Sequence, residues 1–213
     1  MKDLKKMTGE ELIDLALDKS SSTEKLDEII RFLIKKKDTW TLSDIAVNCE
    51  DTETMEHLAS IDNEAIKTGL ARNENITKDL LEKLSHDSFN WVQYYVAQNQ
   101  KTPSELSLTL YTKLAKCEDV EVRRNLAEDR LPKQIYGLLA DDEDEQVRIS
   151  VADNDLTPKE VLASMVEDSS EDVRYSLLEN PHTPNEIKKR LDVDEDEEDV
   201  QDREMKNILK IFK

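Results

Sequence analysis

Side chains able to do chemistry are few in this chain and do not converge in the sequence. Histidine occurs only at 57, 86 and 182, with no second histidine at metal-ligand spacing, and Cys49 and Cys117 form no Cys-x-x-Cys pair. No glycine-rich phosphate loop and no nucleophile motif is present. Asp192-Val193-Asp194-Glu195-Asp196 begins like a calcium loop. Its sixth position is Glu197 where the turn needs glycine, and its twelfth is Arg203 where a bidentate glutamate belongs, so the loop fails. With 49 Asp and Glu among 213 residues, a chance pair of carboxylates says little about acid–base catalysis. The residues predict no catalytic site, no metal and no cofactor.

Three groups of residues do stand out. Arg123, Arg148 and Arg174 recur at a regular interval, each after acidic residues: Asp119 and Glu121, Asp144 and Glu145, Glu171 and Asp172. Bidentate Arg–carboxylate pairs there would form a structural ladder between neighbouring segments. A row of arginines could also meet phosphate, but a formal net charge of −19 opposes nucleic acid, which favours the ladder. Trp91, Tyr94 and Tyr95 lie at i, i+3 and i+4 and therefore side by side on a helix. They form a partner-binding hot spot, or they fill space beside Tyr111. The third group is the acidic run Asp141, Asp142, Glu143, Asp144 and Glu145, which either suits a helix N-terminus or attracts a basic partner.

These residues sit in a recurring phrase. Asparagine or aspartate marks it at Asn48, Asn73, Asn99, Asp129, Asn154 and Asn180, with steps of 25, 26, 30, 25 and 26 residues. A period of this size is the mark of a helical repeat array. Seven positions before each mark stands an apolar residue: Ile66, Val92, Val122, Val147 and Val173. Four and five positions later come further apolar ones such as Leu70 and Ala71, or Val151 and Ala152. That spacing is one stripe on a short helix. The asparagine is expected to end this helix in a left-handed conformation. Thr102-Pro103-Ser104-Glu105, Thr157-Pro158-Lys159-Glu160 and Thr183-Pro184-Asn185-Glu186 predict a second helix opened by a capping box, with plainer caps at Asp51 and Thr77.

The predicted fold is therefore all-α: an α-solenoid of stacked two-helix repeats of about 25 residues, with helical caps. Residues 1–37 read as an N-terminal helical cap and 38–191 as the repeats. Residues 192–213 read as an acidic segment and a capping helix carrying Met205, Ile208, Leu209 and Phe212. An extra helical turn falls between Asn99 and Asp129. No run approaches membrane length and nothing resembles a secretion signal. With two unpaired cysteines, a cytoplasmic protein is expected.

The unit of Val-Arg, Ala, Asn, Thr-Pro and Glu resembles the leucine-rich repeat variant family, whose paired helices look like HEAT repeats. The resemblance spans about residues 42–191 and is closest over 119–191. One branch of that family carries an iron–sulfur centre on an N-terminal cysteine cluster, which is missing from this sequence. The resemblance implies a binding surface, not a reaction. The expected function is a non-catalytic scaffold or adaptor for a protein partner with a basic surface. The alternatives are an acidic nucleic-acid mimic that blocks a DNA- or RNA-binding protein, and a HEAT-like nucleic-acid binder or DNA glycosylase using the arginine row.

Overall fold

Short helices need donors and acceptors at both ends, because an isolated turn does not hold itself together in water. This chain supplies a side-chain acceptor at most of its helix starts. Asp38, Asp51, Asn63, Thr77, Asp119, Asp144 and Ser170 each accept a backbone N–H of the first turn that follows. The computed structural model describes residues 4–18 and 20–193. Among the described residues all regular structure is helical. The expected C-terminal capping helix, and the acidic run from Asp194 onward, lie outside them.

The chain divides into two compact units, Met1–Leu114 and Ala115–Lys213. In the first, a short 3-10 turn (Leu4–Lys6) precedes α1 (Gly9–Leu17), α2 (Thr23–Lys36), α3 (Thr39–Asn48), α4 (Thr52–Ser60), α5 (Glu64–Arg72), α6 (Lys78–Ser85), α7 (Asn90–Gln98) and α8 (Ser104–Leu114). The second holds α9 (Val120–Glu128), α10 (Lys133–Ala140), α11 (Glu145–Asp153), α12 (Lys159–Ser164), α13 (Glu171–Glu179) and α14 (Asn185–Val193). In the first unit α1 packs on α3, α3 on α5 and α5 on α7; in the second α9 packs on α11 and α11 on α13. The dividing point falls in the long step between Asn99 and Asp129.

The apolar stripe forms the core of each unit. Ile66, Leu70, Val92 and Val96 are fully buried in the first, and Val122, Leu126, Val147, Val151, Val173 and Leu177 in the second. Each such side chain contributes about 1.5–3 kcal/mol of transfer free energy. Helices α3 and α5 come close together at Gly69. A Cβ there would lie 2.5 Å from the Ser43 carbonyl oxygen and 2.8 Å from the Ala46 Cβ.

The recurring asparagines end their helices differently from the sequence expectation. Asn73, Asn99, Asn154 and Asn180 have φ between −64° and −72° and extended ψ. Among the described residues only Lys37 has positive φ. The amide side chain is what the position requires. Asn73 Nδ2 donates to the Ala46 and Cys49 carbonyls, both at 2.8 Å. Asn99 Nδ2 reaches the Ala71 carbonyl at 2.7 Å, Asn154 the Ala127 and Asp129 carbonyls at 2.8 and 3.0 Å, and Asn180 the Ala152 carbonyl at 2.6 Å. Each Oδ1 in turn accepts the N–H two residues on, at Asn75, Lys101, Leu156 and His182. One side chain thus closes its own turn and the end of the preceding long-period helix, the long-period helices being those that run up to the recurring mark: α3, α5 and α7 in the first unit and α9, α11 and α13 in the second. Asn48 is the exception: it is exposed and donates within α3, to the Asp44 carbonyl.

The Thr-Pro segments also depart from expectation. The hydroxyls of Thr102 and Thr157 are buried and turn back, donating to the Val96 and Val151 carbonyls at 2.6 and 2.7 Å. Pro158 stands at the cap of α12 with no side-chain cap bond. A full capping box forms at Thr8 and Glu11 instead.

Three substitutions measure these constraints by urea unfolding. Asn154→Ala leaves the Ala127 and Asp129 carbonyls without their amide donor and should cost about 1–3 kcal/mol, whereas Asn48→Ala should change little. Gly69→Ala gains about 1 kcal/mol of helix propensity but forces α3 away from α5, so a net loss of about 1–2 kcal/mol is expected.

Candidate functional site

A guanidinium buried beside a carboxylate is worth its desolvation only if its fork is fully used. In the second unit it is. Arg123, on α9, donates through Nε and Nη2 to the two oxygens of Asp142 at 2.7 and 3.0 Å, and through Nη1 to the Cys117 carbonyl at 2.7 Å. Arg148, on α11, repeats the pattern with Asp168 at 2.8 and 3.0 Å and with the Asp142 carbonyl at 2.9 Å. Arg174, on α13, donates through Nη1 to the Asp168 carbonyl at 2.7 Å. The carboxylate partners lie 19 and 20 residues ahead, not in the acidic stretch just before each arginine. Each aspartate holds one arginine by its carboxylate and the next by its carbonyl. In the first unit Lys67 takes the arginine position, 2.9 Å from Asp87 and 3.1 Å from Asp62.

The electrostatics follow the geometry. Burial alone would raise the Asp168 carboxyl, but the Arg148 fork, the Ser170 N–H and the Arg148 and Arg174 charges outweigh it and hold it below the ordinary 3.8. Hydrogen bonding to Asp142 and to Asp168 raises Arg123 and Arg148. Burial by itself would lower the Lys67 ammonium; the Asp87 and Asp62 carboxylates overcome that and raise it. Burial pushes the Cys49 and Cys117 thiols up, away from reactive thiolate. His57 lies 2.8 Å from Asp27 across α2 and α4. Among the described residues no three of His, Cys, Asp and Glu are placed to hold a metal ion, and no helix is long and apolar enough to cross a membrane.

The acidic turn is only partly open. Asp141 is exposed, and the Glu143 side chain is 91% exposed. Asp142 is not available to a partner, its side chain being 5% exposed and bound to Arg123. Asp144 is the cap of α11 and accepts the Gln146 N–H at 2.9 Å. Of the three aspartates in that run, Asp141 alone is left for recognition, near the exposed Glu143.

The aromatic cluster lies on α7 in the first unit. Tyr94 is buried, its ring edge-on to Trp91 at 5.4 Å and to Tyr95 at 5.0 Å. Trp91 and Tyr95 are half-buried, and the Arg72 guanidinium stands 5.4 Å from the Tyr95 ring. The Tyr111 hydroxyl donates to the Ala97 carbonyl at 3.1 Å, the carbonyl equivalent to those the asparagines serve elsewhere.

Sequence reasoning missed Trp40. It is 77% exposed and is the second residue of α3. Counted from the marking asparagine it holds the same position as Trp91, with Ala65 between them on α5. Extending the repeat register back to α3 would have found it. The positions of α5 that correspond to Trp91, Tyr94 and Tyr95 are Ala65, Thr68 and Gly69, and Gly69 is buried against α3. No family model matches this chain, and no curated protein is similar to it.

The pH dependence of folding tests the Arg148–Asp168 pair. Because the folded carboxyl is depressed, its contribution is complete above 3.8 and is lost as pH falls through the lower folded value. Asp168→Asn should cost about 3 kcal/mol at neutral pH, by leaving Arg148 without a charged partner. It should also flatten the acid limb of a plot of unfolding free energy against pH.

Proposed function

We propose that this protein is a non-catalytic, cytoplasmic α-solenoid of two-helix repeats, of the leucine-rich repeat variant or HEAT-like kind, that binds a protein partner carrying a basic surface. The observation that carries the reading is the exposed Trp40, which holds the same repeat position on α3 as Trp91 does on α7. A tryptophan left 77% exposed gives the fold little burial energy, whereas Trp and Tyr dominate the energetics of contact between proteins. Tyr95 lies one turn on from Trp91 on α7, with the Arg72 guanidinium over its ring. The net charge of −19 supports a basic partner, which would be drawn in quickly at low salt. The arginines support a phosphate-binding role less well. Arg123 and Arg148 are 5% and 13% exposed at the side chain and already engaged by carboxylates.

The test is capture of partners on the immobilised full chain, followed by titration of the recovered partner. Trp40→Ala and Trp91→Ala should each weaken binding by about tenfold or more, a loss of about 1.4–2 kcal/mol. Raising salt should slow association. Equal affinity of both variants and the parent would remove this face from the reading.

A further inference from the structure

The residues leading up to Trp40 carry a charge opposite to that of the chain. Lys35 and Lys36 end α2, Lys37 closes it, Asp38 caps α3, and Trp40 follows two residues later. All three lysines are exposed, as are Ile34 at 41% and Trp40 at 77%. Asp38, the one carboxylate of this segment, is occupied in capping: its oxygens accept the Thr41 N–H at 3.0 Å and the Thr41 hydroxyl at 2.9 Å. The Lys36 ammonium stands 4.7 Å from the centre of the Phe32 ring. Lysines in a last helical turn suit the backbone dipole, which accounts for part of this charge. Lys37 is left-handed, with φ 58°, a conformation that favours glycine, so lysine is kept there at a steric cost. Nor does the dipole explain the exposure of Ile34 and Trp40. The approach of Gly9 to Thr41 sets the start of α1 beside that of α3, with exposed Lys5 and Lys6 ahead of it and exposed Glu10 in its first turn. In the first unit, residues 1–40 hold nine Lys and Arg against nine Asp and Glu, whereas residues 41–114 hold six against twelve. The α2–α3 turn is thus a cationic spot in an acidic unit.

We propose that this corner takes a short acidic segment of the protein partner, with an apolar side chain of that segment against Trp40 and its carboxylates against Lys35, Lys36 and Lys37. The inference rests on the reading of Trp40 as a contact residue and adds the sign of the charge that meets it. Opposite charge across a contact fixes register and excludes wrong partners, and an exposed indole supplies the apolar anchor. The segment must be short. A membrane leaflet or a nucleic-acid duplex presents anions across a wide surface, and the twelve carboxylates of residues 41–114 oppose that approach. A segment of a few residues meets the lysines alone, because salt screens exposed charges beyond about 8 Å. The basic surface of the partner faces carboxylates elsewhere, so the partner carries both signs.

Fluorine NMR of the full chain labelled with 5-fluorotryptophan reports the corner directly. The chain has two tryptophans, and the Trp40 resonance is identified by its absence in Trp40→Phe. The probes are two synthetic peptides with the same apolar centre, Glu-Glu-Leu-Phe-Glu-Glu and Lys-Lys-Leu-Phe-Lys-Lys. The acidic peptide should shift the Trp40 resonance saturably, and the basic one should leave it in place. Lys35→Glu combined with Lys36→Glu should weaken the acidic peptide about tenfold or more, with an unchanged Trp91 resonance showing that the unit keeps its fold. The neutral pair Lys35→Gln and Lys36→Gln should give a smaller loss. Equal or tighter binding of the basic peptide to the parent chain, or no response to either peptide, would overturn the proposal. So would a Trp40 resonance broadened by vesicles of phosphatidylcholine and phosphatidylserine but indifferent to the acidic peptide, which assigns the corner to a membrane surface. In titrations of the recovered partner, affinity lost in Trp40→Ala but kept in both lysine variants leaves the reading of Trp40 standing and overturns this one.

Discussion

The carbonyls at the end of each long-period helix need a donor, and a single asparagine amide provides it. A helix of about nine residues leaves nearly half of its carbonyls without an internal partner, so in this chain the ends weigh as much as the middle. Asparagine suits the position because its two N–H groups serve carbonyls of the preceding segment while its oxygen takes the N–H two residues on. Aspartate has the same shape and no N–H. Where Asp129 stands in the series, the preceding carbonyl of that kind, Ala97, is served from within the first unit by Tyr111. Tyr111 belongs to α8, whose extra length also accounts for the long step in the period. Departure from the repeat and its substitute donor arise from the same insertion.

Charge is organised by a second, parallel system. Asp142 and Asp168 sit in turns after α10 and α12 and reach arginines of the preceding long-period helices. Each also offers its carbonyl to the following arginine, so the pairs are linked in series from Arg123 to Arg174. The carboxylates inside this chain of contacts are matched almost one to one by guanidinium groups. The excess negative charge therefore resides in residues outside it, such as Asp141 and Glu143. Those are the carboxylates that a partner would meet first, and the ones salt would screen.

What the sequence disclosed, and what it hid, divides along a physical line. Apolar residues at i, i+4 and i+5 were legible, because burial depends on residue type and period alone; Val122, Val147 and Val173 are fully buried. The asparagines were legible as a recurrence but not as a mechanism. Backbone closure and side-chain bridging leave the same residue in the sequence, and only the extended ψ at Asn73, Asn99, Asn154 and Asn180 separates them. Threonine before proline was equally ambiguous, since a hydroxyl can cap the next helix or close the last one; Thr102 and Thr157 do the latter. The arginine partners were hidden by the abundance of acid. A nearby carboxylate looks like a partner, yet Arg123 and Arg148 are aimed across the turn to one 19 or 20 residues away. Within the run from Asp141 to Glu145, composition alone does not separate the rung, Asp142, and the cap, Asp144, from the open residues.

The two units differ most plainly at the second residue of their long-period helices. In the second unit it is Glu121, Gln146 and Asp172; in the first it is Trp40, Ala65 and Trp91. An acidic or polar residue there is explained by the helix itself, since negative charge near an N-terminus interacts favourably with the aligned backbone dipoles. Tryptophan gains nothing from the dipole and has only moderate helix propensity. Trp91 has a partial account in the edge-on packing of Tyr94. Trp40 has none within the fold, being 77% exposed at a position where its sibling Ala65 meets every local requirement. A residue that neither helix formation nor burial explains is best accounted for by contact outside the chain, and that is why Trp40 weighs more in the functional reading than the better-packed aromatics of α7.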